Sequence, residues 1–138
     1  MSKTAREMMT GRAECIGENE SLLSAAEKMA QLDVGSLPIC GEDDRLKGMI
    51  TDRDIVVKAL ARGKDPARTK ASELAQGKPV TIGADDSAEE ALRTMTEHRV
   101  RRLPVIDGHE LVGVLSQGDL AGELGHQEVG QLLESISA

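Results

Sequence analysis

Leu37-Pro38-Ile39-Cys40 and Leu103-Pro104-Val105-Ile106 read as one short strand written twice, 66 positions apart. Carried back from the prolines, the same offset sets Ile16-Gly17 on Ile82-Gly83, Ser21 on Ser87, Ala25 on Ala91, Met29 on Met95 and Val34 on Val100. Beyond the prolines the offset becomes 65, and Leu46, Gly48, Thr51 and Asp54 fall on Leu111, Gly113, Ser116 and Asp119. One residue has been lost in the turn, where Gly41-Glu42-Asp43-Asp44 faces Asp107-Gly108-His109. Matches in this order mark an internal duplication, which fixes the architecture before any single element is assigned.

Within each repeat the spacing of apolar residues names the pieces. Ser21 and Ser87 follow acidic turns and stand as N-caps or first-turn residues. After them come Leu22, Ala25, Ala26, Met29 and Leu32, then Ala88, Ala91, Leu92 and Met95, at helical spacing. The runs 37–40 and 46–51 flank a Gly- and Asp-rich turn and predict a β-hairpin, repeated at 103–106 and 111–116. Second helices are expected at 52–61 and 117–124, short helical lead-ins at 4–9 and 71–75, and a further amphipathic helix at 128–136. The boundaries drawn from this are repeat 1 over 4–62, a linker at 63–70, repeat 2 over 71–126 and a tail at 127–138. A β-α-β-β-α unit of roughly 55 residues cannot cover a three-stranded sheet alone. The expected fold is therefore α/β (α+β), two such repeats packed sheet to sheet with pseudo-two-fold symmetry and with ligand clefts between them.

Composition narrows the function. The 138 residues hold 39% hydrophobic side chains but no Phe, Tyr or Trp, so an aliphatic interior must grip any ligand base. A formal charge of -7 and the lack of stacking aromatics argue against a nucleic-acid footprint. No apolar run reaches the roughly 18 residues of a membrane span, and the first residues lack a signal-peptide core, so no membrane partner and a cytoplasmic address are expected.

These residues resemble the tandem CBS-domain family, the Bateman module. The carriers are 21–29, Gly35-Ser36-Leu37-Pro38-Ile39-Cys40, and Leu46-Lys47-Gly48-Met49-Ile50-Thr51-Asp52-Arg53-Asp54-Ile55, with the counterpart Leu111-Val112-Gly113-Val114-Leu115-Ser116-Gln117-Gly118-Asp119-Leu120. The short form, with its two cysteines, is most similar to the stand-alone actinobacterial hypoxic-response type. The resemblance implies a ligand role for Gly-h-h-Ser/Thr-x-x-Asp, where h is apolar. Asp54 and Asp119 would take ribose hydroxyls, and Thr51 and Ser116 would approach a phosphate. It also implies a basic pair before the hairpin, filled by Arg101-Arg102 in the second repeat and replaced by Gly35-Ser36 in the first. Arg53, matched by Gly118, is a further phosphate candidate or an ion-pair partner. A hydroxyl beside the unpaired N–H groups of a helix start suits an anion, and a carboxylate one turn on can accept both hydrogens of a diol. The competing reading is plain N-capping by Thr51 and Ser116, which does not exclude binding. His98 and Arg99 add to the basic cluster, for which the competing reading is a solvated face or ion-pair partners for the many acids.

Cys15 precedes the first long helix and Cys40 ends the first hairpin strand, two places that the repeat brings near one another. A disulfide would close a loop of about 25 residues and contribute about 3 kcal/mol in the chain-entropy model. The opposing reading is two reduced thiols, the common state in a reducing compartment. The second repeat has Thr81 and Ile106 there, so the fold does not require the pair. His98, His109 and His126 have no metal-ligand spacing, so no metal or required cofactor is expected. No nucleophile elbow, Walker loop or dinucleotide fingerprint occurs, which ranks an enzyme last. The expected function is a non-enzymatic regulatory or stress-response module that binds AMP, ADP, ATP or S-adenosylmethionine. A homodimer follows from the family, with Ile55, Leu60 and Leu120 as interface candidates, and the output goes to an unknown protein partner. The alternative is a dimeric interaction scaffold without nucleotide, with Cys15 and Cys40 as its redox-sensitive or stabilising pair.

Overall fold

Ser21 and Ser87 cap helices in the same way. Their hydroxyls accept the backbone N–H of Ser24 at 3.1 Å and of Glu90 at 3.2 Å. Helix α2 (Leu22–Leu32) and helix α4 (Ala88–His98) follow, and each ends on a left-handed residue, Asp33 at φ 55° and Arg99 at φ 54°. The buried faces are Leu22, Ala25 and Met29 on one and Ala88, Ala91 and Met95 on the other, as the helical spacing predicts. The computed structural model describes residues 3–11, 14–75 and 79–123, together with 130 and 134. The helix expected at 128–136 lies outside the described residues except at those two positions.

Each helix is preceded by a two-residue strand and followed by a hairpin. Strand β2 (Ile16–Gly17) pairs parallel with β3 (Ser36–Cys40), which pairs antiparallel with β4 (Leu46–Thr51). In the second repeat β5 (Ile82–Gly83), β6 (Arg102–Asp107) and β7 (Glu110–Ser116) repeat the pattern. The architecture is thus mixed α+β, with the predicted strand-helix-hairpin order in both repeats.

The lead-ins are exchanged. Residues 3–11 form helix α1 (Ala5–Met8) and strand β1 (Thr10–Gly11), and they pack with the second repeat. β1 adds to the edge of β7, with Thr10 opposite Val114 and Gly11 opposite Gly113. The N–H groups of Ala5 and Arg6 donate to the carbonyls of Asp86 at 2.8 Å and Ala84 at 2.9 Å. Arg6 pairs with Asp107 at 2.9 Å, and Thr4 caps α1 in a box that holds the Glu7 carboxyl below its ordinary range through the Thr4 N–H and hydroxyl. In the same way a 3-10 turn, Ala71–Glu73, belongs with the first repeat, where Ala71 and Ser72 donate to the carbonyls of Glu20 and Glu18.

The two compact units are therefore 14–79, and 1–13 with 80–138. They differ from the sequence repeats 4–62 and 71–126. The segment 63–70 between the repeats packs with the unit 14–79. Its Pro66 and Thr69 carbonyls take the N–H groups of Leu23 and Leu22, and Thr69 is buried. Each unit has its own aliphatic core, built around Leu22, Leu37, Ile39 and Ile50 in one and Ala5, Met95, Leu103 and Leu115 in the other.

The exchange explains the glycines of the repeated motif. Gly113 lies opposite Gly11 of the incoming strand, and a side chain at Gly48 would put its Cβ 2.9 Å from that of Ala75. Gly48→Val is expected to destabilise the unit 14–79 by about 1–3 kcal/mol through overpacking. Without aromatic residues, calorimetry or far-UV dichroism must follow the transition, and an unchanged midpoint would contradict the seating of Ala75.

After each hairpin the chain turns directly into a helix, though not a regular one in the first repeat. Helix α3 (Asp52–Asp54) runs into a π-helical turn, Ile55–Ala59, and a 3-10 turn, Leu60–Arg62, with the Leu60 N–H shared by the carbonyls of Ile55 and Val56. The β-branched run Ile55-Val56-Val57 is a poor α-helix former, which favours such a widened turn. In the second repeat helix α5 (Gln117–Ala121) is described to residue 121, three short of the expected end.

Candidate functional site

The hairpin and the helix that follows it meet at one corner in each repeat. Ser36 lies directly opposite Thr51, and Arg102 directly opposite Ser116. Facing residues of an antiparallel pair project on the same side of the sheet. A further bond closes each corner, from Asp52 N–H to the Gly35 carbonyl and from Gln117 N–H to the Arg101 carbonyl, both at 2.9 Å. The residues before the hairpin, the hydroxyl and the helix start are thus brought together by backbone pairing.

Thr51 and Ser116 then act as caps. The Thr51 hydroxyl accepts the Asp54 N–H at 3.0 Å, and the Asp54 Oδ2 accepts the Thr51 N–H at 3.1 Å. The Ser116 and Asp119 bonds are the same box at 3.1 and 2.8 Å. This reciprocal box fixes both carboxylates to the first turn. The helices are short, five residues in α5, so an anion here would be met by single N–H groups and by arginines rather than by a long helix dipole.

The second carboxylate oxygen separates the two corners. Asp54 Oδ1 takes Lys58 Nζ at 3.2 Å, so both its oxygens are engaged. The position matching Lys58 is Glu123, which pairs with Lys3 at 3.0 Å. Asp119 Oδ1 has no partner among the described residues, although Asp119 is only half-exposed. Arg101 and Arg102, whose backbone pairs with Gln117 and Ser116 at this corner, are exposed and without an ion-pair partner among the described residues. The Gln117 Oε1 is buried there and unpaired among the described residues. In the first corner Arg53 is exposed, and its backbone N–H bonds Asp52 Oδ1 at 2.8 Å. Lys58 and Glu123 are the residues that sequence reasoning missed. Their signal was an i, i+4 relation to the motif carboxylate, acid to base in one repeat and acid to acid in the other.

Cys15 and Cys40 are bonded, with Cα atoms 5.7 Å apart. The bridge fastens the β2 edge, where Gly17 lies opposite Cys40. It stands at the far end of β3 from Ser36, four residues or about 13 Å from the corner. Among the described residues no three His, Cys, Asp or Glu side chains converge as a metal site. No described helix is long and apolar enough to cross a membrane.

The family model for the CBS domain matches residues 5–60 and again 71–126. Hypoxic response protein 1 of Mycobacterium tuberculosis is 47% identical over 96% of this chain and 93% of its own length. The CBS domain-containing protein YhcV of Bacillus subtilis is 36% identical over 97% and 95%. A crystal structure of Hypoxic Response Protein I with two coordinated zinc ions superposes at TM-score 0.84, with 50% identity, covering 89% of this chain and all of that one. Among the described residues Cys15 and Cys40 are bonded to each other, and His98 and His109 are exposed on a helix end and a turn. His126 lies outside the described residues. The duplicated strand-helix-hairpin-helix unit and the two full-length matches agree: the chain belongs to the CBS-domain family.

Proposed function

We propose that this protein is a regulatory module that binds an adenine nucleotide or adenosyl compound at the second repeat's corner, through Asp119, Ser116, Arg101 and Arg102. The observation that carries the reading is the open Oδ1 of Asp119, whose other oxygen is held by the Ser116 N–H, at a corner whose paired backbone also carries two exposed arginines. Asp119 accepts ribose hydroxyls, Ser116 and the arginines meet phosphate oxygens, and aliphatic side chains hold the base. Thr51, Asp54 and Arg53 form the weaker counterpart, since Lys58 already occupies Asp54 and no arginine pair precedes that hairpin. A structure of CBSX2 in complex with AMP shares the fold at TM-score 0.75, and at 24% identity the likeness is of fold alone.

The module senses and does not catalyse: its motif carboxylates are used as caps and diol acceptors. A ligand shifts pre-existing arrangements by no more than its differential affinity for them. The output passes to a partner protein or to a homodimer, and a related CBS-CP12 protein, 28% identical, is hexameric.

Calorimetric unfolding across AMP, ADP, ATP, NAD and S-adenosylmethionine tests the reading. A saturable rise in midpoint with at least one of them is expected. No rise at millimolar concentration would leave the second reading, a scaffold without nucleotide, which the bonded Cys15 and Cys40 favour. In that reading the bridge is a redox-sensitive or stabilising clasp. Its reduction, or Cys40→Ser, is expected to lower the stability of the unit 14–79 by about 3 kcal/mol. Urea unfolding with and without reductant measures the loss, and coincident curves would remove the clasp from the account.

A further inference from the structure

The residue one turn beyond the motif carboxylate has opposite charge in the two repeats. Lys58 Nζ reaches Asp54 Oδ1 at 3.2 Å, so a side chain at this position lies within range of the carboxylate's outer oxygen. Glu123 holds the same position relative to Asp119, in a turn closed by its N–H bond to the Leu120 carbonyl at 2.9 Å. Two carboxylates at this spacing repel one another, and both repel a phosphate. No cation on the same stretch of chain answers Glu123, since 103–138 contains no Lys or Arg.

The cation comes from the lead-in instead. Lys3 Nζ lies 3.0 Å from Glu123 Oε1. Its backbone is fixed independently of that ion pair: the Lys3 carbonyl accepts the Ala88 N–H at 3.2 Å, and Thr4 bridges Ser87. Lys3 is thus anchored at the start of α4 and reaches the turn that ends α5. The hydrogen bond to Glu123, followed by the attraction of its charge, raises the Lys3 ammonium above its ordinary range, so the amine stays charged at neutral pH.

We infer that Lys3 is a positioning residue for the second repeat's corner: it holds and neutralises the Glu123 carboxylate, and so keeps that corner receptive to phosphate. This role presupposes the ligand corner proposed above, and it means that the lead-in sets the corner's affinity for anions. Lys3 does not touch the ligand. Its effect is Coulombic, so it grows with the charge of the ligand, is absent for uncharged adenosine and is screened by salt.

Titration calorimetry of the full chain with adenosine, AMP and ATP tests this. Lys3→Gln is expected to weaken AMP binding about fivefold at low salt, about 50 mM, and ATP binding more, with most of the effect lost at about 500 mM. Adenosine binding should be unaffected, and Lys3→Arg should bind AMP as the unsubstituted chain does. Adding Glu123→Gln to Lys3→Gln should restore AMP binding, because the charge that Lys3 answers is then gone. If Lys3 merely fastened the lead-in, the double variant would stay as weak as the single one. Glu123→Gln alone, which leaves the ammonium unpaired, should strengthen AMP binding by a similar factor. Far-UV dichroism of each variant checks that it is folded. AMP affinity unchanged by Lys3→Gln and by Glu123→Gln, or lowered equally in Lys3→Gln and the double variant, overturns the proposal while leaving the ligand corner standing. An unsubstituted chain that binds none of the three compounds overturns the corner, and the role of Lys3 with it.

Discussion

Asp119→Ala is expected to weaken adenine-nucleotide binding by about two orders of magnitude, while Asp54→Ala leaves it within about twofold. A hydrogen bond to a charged group is worth about 1.5–3 kcal/mol, and the diol makes its bonds to this carboxylate, so a loss near 2.7 kcal/mol, or a hundredfold, is the central figure. Asp54 already has Lys58 on its second oxygen, and its loss removes a capping interaction rather than a ligand contact. Both substitutions break a capping box and lower the ligand-free midpoint by about 0.5–2 kcal/mol of stability. The quantity to compare is therefore the ligand-dependent shift. Asp119→Asn separates the roles, since its amide oxygen can still accept the Ser116 N–H while the charge is gone. Titration calorimetry of the four proteins gives the result, and equal losses at Asp54 and Asp119 would contradict the assignment to one corner.

Removing residues 1–11 is expected to unfold the second repeat's unit. Ala5 and Met8 are buried in its core, β1 covers an edge of β7, and three further backbone bonds and the ion pairs of Lys3 and Arg6 are lost with them. Truncating a buried Met alone costs about 2–5 kcal/mol. The sum reaches the order of a whole domain's stability, about 5–15 kcal/mol. The unit 14–79 keeps every residue of its core. Hydrogen exchange should show protection lost at Leu103 and Leu115 and kept at Ile39 and Ile50. Protection retained at all four would mean that the lead-in is dispensable.

Much of this was legible in the chain. The two Leu-Pro strands, their common offset and the helical spacing after Ser21 and Ser87 dictate local structure, because each depends on neighbours within a few turns. The strand-helix-hairpin order followed, as did the capping by Thr51 and Ser116. The exchanged lead-ins were not legible: Thr10–Gly11 is two residues long, with no periodicity to read, and its partner lies a hundred positions away. The same holds for the packing of 63–70, whose polar composition reads as a linker although its carbonyls cap the first helix. At the corner the motif matched Asp54 with Asp119, while the change from Asp52-Arg53 to Gln117-Gly118 argued against equivalent sites. Lys58 and Glu123, one turn beyond it, make them unequal. The regular helix expected at 52–61 became a π-helical turn where three β-branched residues follow one another.

The most direct test of the central claim is the stoichiometry of AMP binding to the reduced and the oxidised protein by isothermal titration. The account predicts a saturable isotherm with one site per chain in both states, weakened about a hundredfold by Asp119→Ala and spared by Asp54→Ala. Two equal sites per chain, or no heat of binding at millimolar AMP or any other ligand of the panel, would contradict it.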